Sequence, residues 1–183
     1  MTVVHRHLRR HLLSLLFVSG FAGLAAQPAR ADEDPVLEVQ AAVQAESSDA
    51  ALRSRVVDDA LSNVGTRYRY GGSTPQTGFD CSGLVRWVFD RSIGMTLPRR
   101  AVEIAQMGAK VDLQSLKPGD LVFFNTLRRS FSHVGIYLGD GQFVHAPSKG
   151  GAVRVETIAD SYWQKRFTGA RRIDTQSESP RLN

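Results

Sequence analysis

Three side chains of this sequence are suited to nucleophilic catalysis: Cys81, His133 and His145. The 183-residue chain contains one cysteine, and its three other histidines lie within the first eleven residues. A lone cysteine has no intramolecular disulfide partner, so it is a small apolar residue, an intermolecular link or a functional thiol. A thiolate attacks a carbonyl carbon once a base has taken its proton, and histidine suits that role near neutral pH.

The position of Cys81 favours the functional thiol. Cys81 follows a glycine-rich polar segment and stands at the start of a predicted helix, in the run Phe79-Asp80-Cys81-Ser82-Gly83-Leu84. The unpaired N–H groups and the dipole of a helix N-terminus stabilise a thiolate, so we expect a lowered thiol pKa. Asp80 is also a candidate N-cap for this helix, and Ser82 a simple first-turn residue.

The two histidines fall on neighbouring predicted strands. Strand alternation places His133, Gly135 and Tyr137 on one face, and the Gly139-Asp140-Gly141 turn leads to the strand that carries His145. Both rings are therefore able to face one cleft, as a base and a residue that orients it. An ordinary hydrogen-bonded strand histidine is the alternative for each. One cysteine and two histidines could also hold zinc, with a fourth position left open.

The elements that must position these residues predict an α+β domain. Helical patterns cover residues 51–64, 81–92 and about 98–107, whereas residues 67–78 are expected to be loop. After residue 118 the sequence changes to short β-rich runs with one helical piece near residues 161–165. The predicted strands are 121–125, 133–138, 142–146, 153–157 and 167–173. Helices followed by an antiparallel sheet define the α+β class.

The regions outside this domain differ in composition. Residues 1–31 combine four arginines with an apolar stretch and an Ala29-Arg30-Ala31 cleavage pattern, which predicts a secretory signal peptide; an uncleaved anchor is the alternative. Residues 32–50 carry six acidic and no basic side chains and are expected to form an acidic flexible linker. The domain is placed at 51–174 and a disordered tail at 175–183. No cysteine lies near the cleavage pattern to take a lipid, so no stable membrane anchor is expected.

The charge distribution limits the classes of partner. Residues 1–31 hold four of the 23 basic side chains and none of the 18 acidic ones, so residues 32–183 carry a net charge of only +1. Residues 51–174 alone carry 18 basic and 11 acidic side chains. A basic domain suits an anionic polymer, but the bases are scattered and no nucleic-acid-binding motif accompanies them. For an exported protein, the expected anionic polymer belongs to the cell envelope. No nucleic acid is expected as a partner.

Several separate motifs resemble the NlpC-type (NlpC/p-sixty) peptidoglycan endopeptidases, and they occur in that family's order. The resemblance covers about residues 51–173 and is strongest to the single-domain murein endopeptidases of Gram-negative bacteria. The motifs are Tyr68-Arg69-Tyr70-Gly71-Gly72, Phe79-Asp80-Cys81-Ser82-Gly83-Leu84, Leu97-Pro98-Arg99, Pro118-Gly119-Asp120-Leu121-Val122-Phe123-Phe124, His133-Val134-Gly135-Ile136-Tyr137-Leu138-Gly139 and Phe143-Val144-His145-Ala146. Tyr70 departs from the pattern, because many members have tryptophan there.

The resemblance implies a papain-like fold, with N-terminal helices packed on a mostly antiparallel sheet of five to six strands. It implies a triad of Cys81, His133 and His145, an oxyanion role for Tyr68, and substrate contacts by Asp80 and Ser82. No cofactor or metal is implied. The expected protein is a monomeric periplasmic or secreted hydrolase acting on peptidoglycan, with a regulatory adaptor or protease as a further partner.

Two alternatives to this enzyme remain at this point: an inactive wall-binding module, and a thiol acyltransferase or amidase on the same fold. The motifs also leave two scissile bonds open. One is the cross-link between stem peptides, and the other is the γ-D-glutamyl-diaminopimelate bond within one stem.

Overall fold

The computed structural model describes residues 35–148 and 151–174, so the predicted signal peptide and tail lie outside the described residues. The helices are α1 (Pro35–Ser62), α2 (Cys81–Ile93), α3 (Ala101–Ile104) and α4 (Ser161–Gln164). The strands are β1 (Ser73–Thr74), β2 (Gly78–Phe79), β3 (Ala109–Val111), β4 (Leu121–Phe124), β5 (His133–Gly139), β6 (Gln142–His145), β7 (Arg154–Thr157) and β8 (Phe167–Arg172), and a short 3₁₀ helix spans Leu113–Ser115. Within these residues, no helix is long and apolar enough to cross a membrane.

The main sheet has six strands in the order β3-β8-β4-β5-β6-β7, and every neighbouring pair is antiparallel. Helices α1 and α2 contact each other, and both also contact β5. The five strands predicted after residue 118 are present with similar bounds, and β3 brings the sheet to six. The predicted α+β class, with helices packed on an antiparallel sheet, is therefore confirmed.

Helix α1 differs from the expected flexible linker, because it begins at Pro35 rather than near residue 51. Residues 36–50 contain no glycine or proline and are rich in alanine, glutamate and glutamine, which favour helix. Pro35 suits the first turn, where its missing N–H costs nothing. Most side chains of residues 35–50 are exposed, whereas Val56 and Ala60 are buried against the rest of the fold. Packing against the rest of the fold therefore stabilises the second half of α1, and the helix-favouring composition of residues 36–50 continues the helix toward its N-terminus.

Two other segments also differ from the sequence expectation. The third helix covers only Ala101–Ile104, because Gly108 adopts a positive φ and the chain turns there into β3, which pairs with β8. A Cβ on Gly108 would lie 2.2 Å from the carbonyl oxygen of Arg172, so the close approach of the two strands requires glycine. The expected loop at residues 67–78 contains the small β1–β2 hairpin.

The two faces of the sheet are buried in different surroundings. One face packs against α1 and α2 through residues such as Phe123, Ile136 and Val144. The opposite face supports a smaller aromatic cluster built from Phe124, Phe143 and Trp163. Because β4, β5 and β6 are buried on both faces, packing on both sides of the sheet holds the strands that carry the two histidines in place.

Candidate active site

Cys81 is the first residue of α2, as predicted, and it faces a cleft of about 1150 Å³. The helix is capped by Asp80, whose Oδ1 accepts a hydrogen bond from the Gly83 N–H at 2.7 Å. A Cβ on Gly83 would lie 2.0 Å from the Gly72 carbonyl oxygen. Glycine at this position therefore allows the first turn of α2 to pack directly against the backbone of the preceding loop.

The protonation of Cys81 differs from the sequence expectation. Burial, followed by the nearby Asp80 carboxylate, raises the pKa of the thiol to about 11. The peptide N–H groups of Val134 and Ser82 and the charge of Arg99 act in the opposite direction but are weaker. The prediction that the helix terminus lowers the thiol pKa is therefore wrong, because desolvation outweighs the favourable N–H groups. This direction favours a neutral thiol at rest.

His133 and His145 form a directly bonded pair of rings, as their strand positions predicted. Nε2 of His133 and Nδ1 of His145 lie 2.8 Å apart, and the ring planes are nearly perpendicular at 86°. Both residues are buried, but only His133 lines the cleft. His145 therefore sits behind His133 rather than beside it, in the position of a residue that orients a base.

Burial also controls the charge of the two rings. It lowers the pKa of His133 to about 3, and the neighbouring His145 adds to this effect, whereas Glu156 and Asp80 oppose it. Burial lowers the pKa of His145 to about 3 as well, with a smaller contribution from Arg154. Both imidazoles are thus neutral near pH 7, and each carries one N–H.

We expect these two buried histidines to make the domain less stable as the pH falls from 6.5. The unfolded chain binds a proton at each ring below pH 6.5, but the folded protein does not until about pH 3, so acid favours unfolding. Each ring contributes at most about 1.4 kcal/mol per pH unit in this range. Urea unfolding at pH 5, 6 and 7 measures this slope. Most carboxylates stay ionised in that window.

The matched control for that experiment is the double substitution His133→Gln with His145→Asn. It removes both titrating rings and keeps polar side chains, so the dependence of the unfolding free energy on pH should flatten between pH 5 and 7. An equal slope in the variant and the unmodified protein would show that these rings do not cause the acid sensitivity.

Trp163 and Arg99 complete the site, and neither was predicted from the sequence to have a role there. The indole of Trp163 stacks on His133 with ring centroids 5.7 Å apart and meets His145 edge-on at 4.9 Å. Arg99 donates to Asp80 Oδ1 at 2.9 Å and to Ser82 Oγ at 2.8 Å. The Leu97-Pro98-Arg99 motif was the available signal for Arg99, whereas nothing local in the sequence marks Trp163.

Asp80, Ser82 and Tyr68 surround the thiol on the cleft side. Both oxygens of Asp80 are engaged, since Oδ2 accepts from the Gly71 N–H at 2.9 Å and from Arg99. Asp80 therefore caps α2, as the N-cap interpretation predicted, and it also lines the cleft. Burial, followed by the nearby Cys81 and Asp80, raises the pKa of the Tyr68 hydroxyl, which therefore stays protonated and able to donate.

The rest of the cleft is lined by polar and aromatic side chains of both charge signs. The basic ones are Arg99, Arg100, Arg129 and Arg154, and the acidic ones are Asp80, Glu156 and Asp160. Tyr70 stands at the rim with 88% of its surface exposed. In the part of the chain that the structure describes, no group of three or more His, Cys, Asp or Glu residues is arranged to hold a metal ion.

This combination of fold and site defines a class. A cysteine at a helix N-terminus, in a cleft shared with one member of a bonded histidine pair on an antiparallel sheet, is the arrangement of a papain-like thiol hydrolase domain. The chain belongs to the NlpC/P60 family, whose model matches residues 65–172. The resemblance found in the sequence is thereby confirmed.

Individual relatives agree with this assignment. A gamma-DL-glutamyl hydrolase of Bacillus subtilis is 46% identical over 120 residues, which are 65% of this chain and 29% of that protein. The murein DD-endopeptidase MepH of Escherichia coli K12 is 41% identical over 118 residues, 63% of this chain and 44% of MepH. The murein DD-endopeptidase MepS/murein LD-carboxypeptidase of the same strain is 41% identical over 126 residues, 69% of this chain and 65% of that protein.

Solved structures give the same result. The NlpC/p60 domain of the peptidoglycan hydrolase SagA superimposes with a TM-score of 0.58 at 33% identity, covering 66% of this chain and 98% of that domain. The chain spans less than two thirds of the length of the three curated relatives described above.

Proposed function

We propose that this protein is a peptidoglycan endopeptidase that cleaves amide bonds through a thioester on Cys81. The observation that carries the proposal is a thiol at a helix start in an open cleft that is also lined by His133, a histidine whose ring contacts that of a second histidine. The murein endopeptidases among its relatives support a cell-wall substrate.

The geometry supports a reaction in which the proton moves during attack. Nε2 of His133 is engaged with His145, so Nδ1 is the ring atom left to accept the Cys81 proton. Because thiol and imidazole are both neutral at rest, His133 takes the proton as sulfur bonds to the carbonyl carbon. The C–N bond then breaks, and the leaving amine takes that proton from His133.

In the second half of the reaction, water hydrolyses the thioester. Water gives a proton to His133 and attacks the thioester carbonyl, and the C–S bond breaks. The thiol regains its proton from His133, and the new carboxylic acid leaves and loses its remaining proton to solvent. His145 keeps the His133 ring in place through both halves, as the third member of a triad does.

The remaining cleft residues are assigned to charge stabilisation and to substrate contact. The Cys81 N–H is the first of α2, and helix first-turn N–H groups have no intrahelical acceptor. We assign this N–H and the Tyr68 hydroxyl to the oxyanion. Asp80 and Ser82, tied together by Arg99, are assigned to the substrate residue next to the scissile bond, where a charged amine or carboxylate would find an opposite charge.

For the scissile bond, we propose the cross-link between two stem peptides. Two of the three relatives described above are named DD-endopeptidases, and this chain covers 44% and 65% of them, against 29% of the gamma-DL-glutamyl hydrolase.

Purified cross-linked muropeptide dimers provide the test. The unmodified protein should convert dimers to monomers, and Cys81→Ala should leave them intact, as read by chromatography and mass spectrometry. Products shortened at the γ-D-glutamyl bond would overturn the assignment of the bond. Unchanged dimers with the unmodified protein would favour an inactive wall-binding module, and transfer of the acyl group to an added amine would favour an acyltransferase.

The proposed substrate places the protein outside the cytoplasm. We propose a periplasmic or secreted location, supported by the export signal predicted in residues 1–31, which lie outside the described residues. A monomer without a stable membrane anchor, restrained by an adaptor or protease, remains our expectation.

A further inference from the structure

A carboxylate lies behind the histidine pair, on the next strand of the sheet. In the pairing of β6 with β7, Phe143 is opposite Glu156 and His145 is opposite Arg154. Side chains two residues apart on a strand share a face, so Glu156 points to the same side of the sheet as His145. Its Oε2 atom lies 3.5 Å from Nε2 of His145.

The Nε2 atom of His145 lacks a hydrogen-bond partner among the described residues. Nε2 of His145 is buried, and it makes no hydrogen bond to any other part of the chain that the structure describes. A buried polar atom without a partner costs about 1–3 kcal/mol. The Glu156 carboxylate is therefore the acceptor placed to satisfy it after a small movement.

Two neighbours hold Glu156 in this position. The indole N–H of Trp163 donates to Oε2, and the Arg154 guanidinium donates to Oε1. The same Trp163 ring stacks on His133 and meets His145 edge-on. The carboxylate, the indole and both imidazoles thus form one continuous cluster in which each member limits the rotation of the next.

The cluster has a consequence for the tautomer of each ring. If Nδ1 of His133 is to accept the Cys81 proton, Nε2 of His133 must carry the hydrogen and donate it to Nδ1 of His145. His145 must then carry its own hydrogen on Nε2, the atom that faces Glu156. A carboxylate only accepts hydrogen bonds, so it favours this tautomer over the other.

We propose that Glu156 is a positioning residue that fixes the tautomer of His145 and, through it, leaves Nδ1 of His133 free to act as the base. This inference rests on the proposed function of Cys81 and His133. The negative charge also stabilises the imidazolium that forms while His133 holds the proton, and Asp80 at the N-cap of α2 acts in the same direction. Arg154 opposes a positive charge on the neighbouring His145.

The test is Glu156→Gln, because an amide of the same shape either accepts or donates and no longer selects one tautomer. We expect kcat on muropeptide dimers to fall about 10- to 100-fold with KM nearly unchanged, which is the size of effect seen when a carboxylate that orients a metal-bound histidine is removed. Nitrogen-15 NMR of labelled histidines should change from the Nε2–H pattern for both buried rings to a mixture. A merely structural role would not change that pattern.

Two further variants control for folding and for charge. Glu156→Asp keeps the carboxylate and should retain the Nε2–H pattern even if its rate is reduced. Glu46→Gln makes the same charge change on the exposed part of α1 and should resemble the unmodified protein.

The NMR measurement does not depend on activity, so it separates this inference from the proposed function. An inactive unmodified protein that shows the Nε2–H pattern would overturn the function and not the inference. An active protein whose Glu156→Gln variant keeps both its kcat and its histidine spectrum would overturn the inference and not the function.

Discussion

Replacing Cys81 by serine is expected to reduce cleavage of muropeptide dimers on the order of 10⁴-fold or more. Serine occupies nearly the same volume, so the fold should be unaffected. An alcohol, however, is a much weaker acid than a thiol, and burial makes His133 a weak base by lowering its pKa to about 3. A base of that strength can assist a thiol whose proton moves during attack but has little effect on an alcohol.

Initial rates on a defined dimer, read by mass spectrometry, measure the effect. Cys81→Ala is the reference for complete loss of the nucleophile, and equal melting temperatures of the three proteins would show that folding is unchanged. Cleavage by the serine variant at more than about one per cent of the unmodified rate would contradict a thiol nucleophile. Stoichiometric zinc in the unmodified protein, with activity lost on chelation, would instead indicate the metal mechanism.

Replacing Asp120 by asparagine is expected to destabilise the folded domain by about 3 kcal/mol. Asp120 is fully buried and accepts hydrogen bonds from Arg53 at 3.1 Å, from Arg172 at 2.7 and 2.9 Å, and from the Lys117 N–H at 2.8 Å. It therefore ties α1 and β8 to the start of β4. Asparagine keeps the shape but removes the charge, which leaves two arginines without their shared partner.

Urea unfolding at pH 7 tests this expectation, and a fall in melting temperature of roughly 10 °C should accompany it. Asp112→Asn provides the matched control, because Asp112 stands at the N-cap of the 3₁₀ helix and its side chain makes no capping hydrogen bond. A loss below 1 kcal/mol in Asp120→Asn, or an equal loss in the control, would show that the buried charge is not a major source of stability.

The positions of the three candidate site residues could be predicted from the sequence because each is marked by its own neighbours. Cys81 follows a glycine-rich segment and precedes an apolar helical pattern, and the Gly139-Asp140-Gly141 turn fixes which strands carry the two histidines. Hairpins and helix starts are local features, so short stretches of sequence contain the information that places Cys81 at a helix start and the two histidines on paired strands.

The residues behind the site could not be predicted, because their positions depend on tertiary packing. Asp120 and Arg53 are 67 residues apart, and their meeting depends on how α1 packs against the sheet. Trp163 and Glu156 reach the histidines only through the register of β6 with β7 and the placement of α4. The thiol pKa was mispredicted for a related reason, since the helix start is local but the degree of burial is not.

The neutral resting state of Cys81 has a consequence for the lifetime of the protein. The thiolate is the species that attacks peroxides and disulfides, so the rate at which a cysteine is oxidised follows its thiolate fraction and its exposure. With its pKa raised to about 11, the partly buried Cys81 presents very little thiolate at neutral pH. Burial thus weakens His133 as a base and also lowers the thiolate fraction of Cys81, so we expect peroxide to oxidise Cys81 slowly at neutral pH.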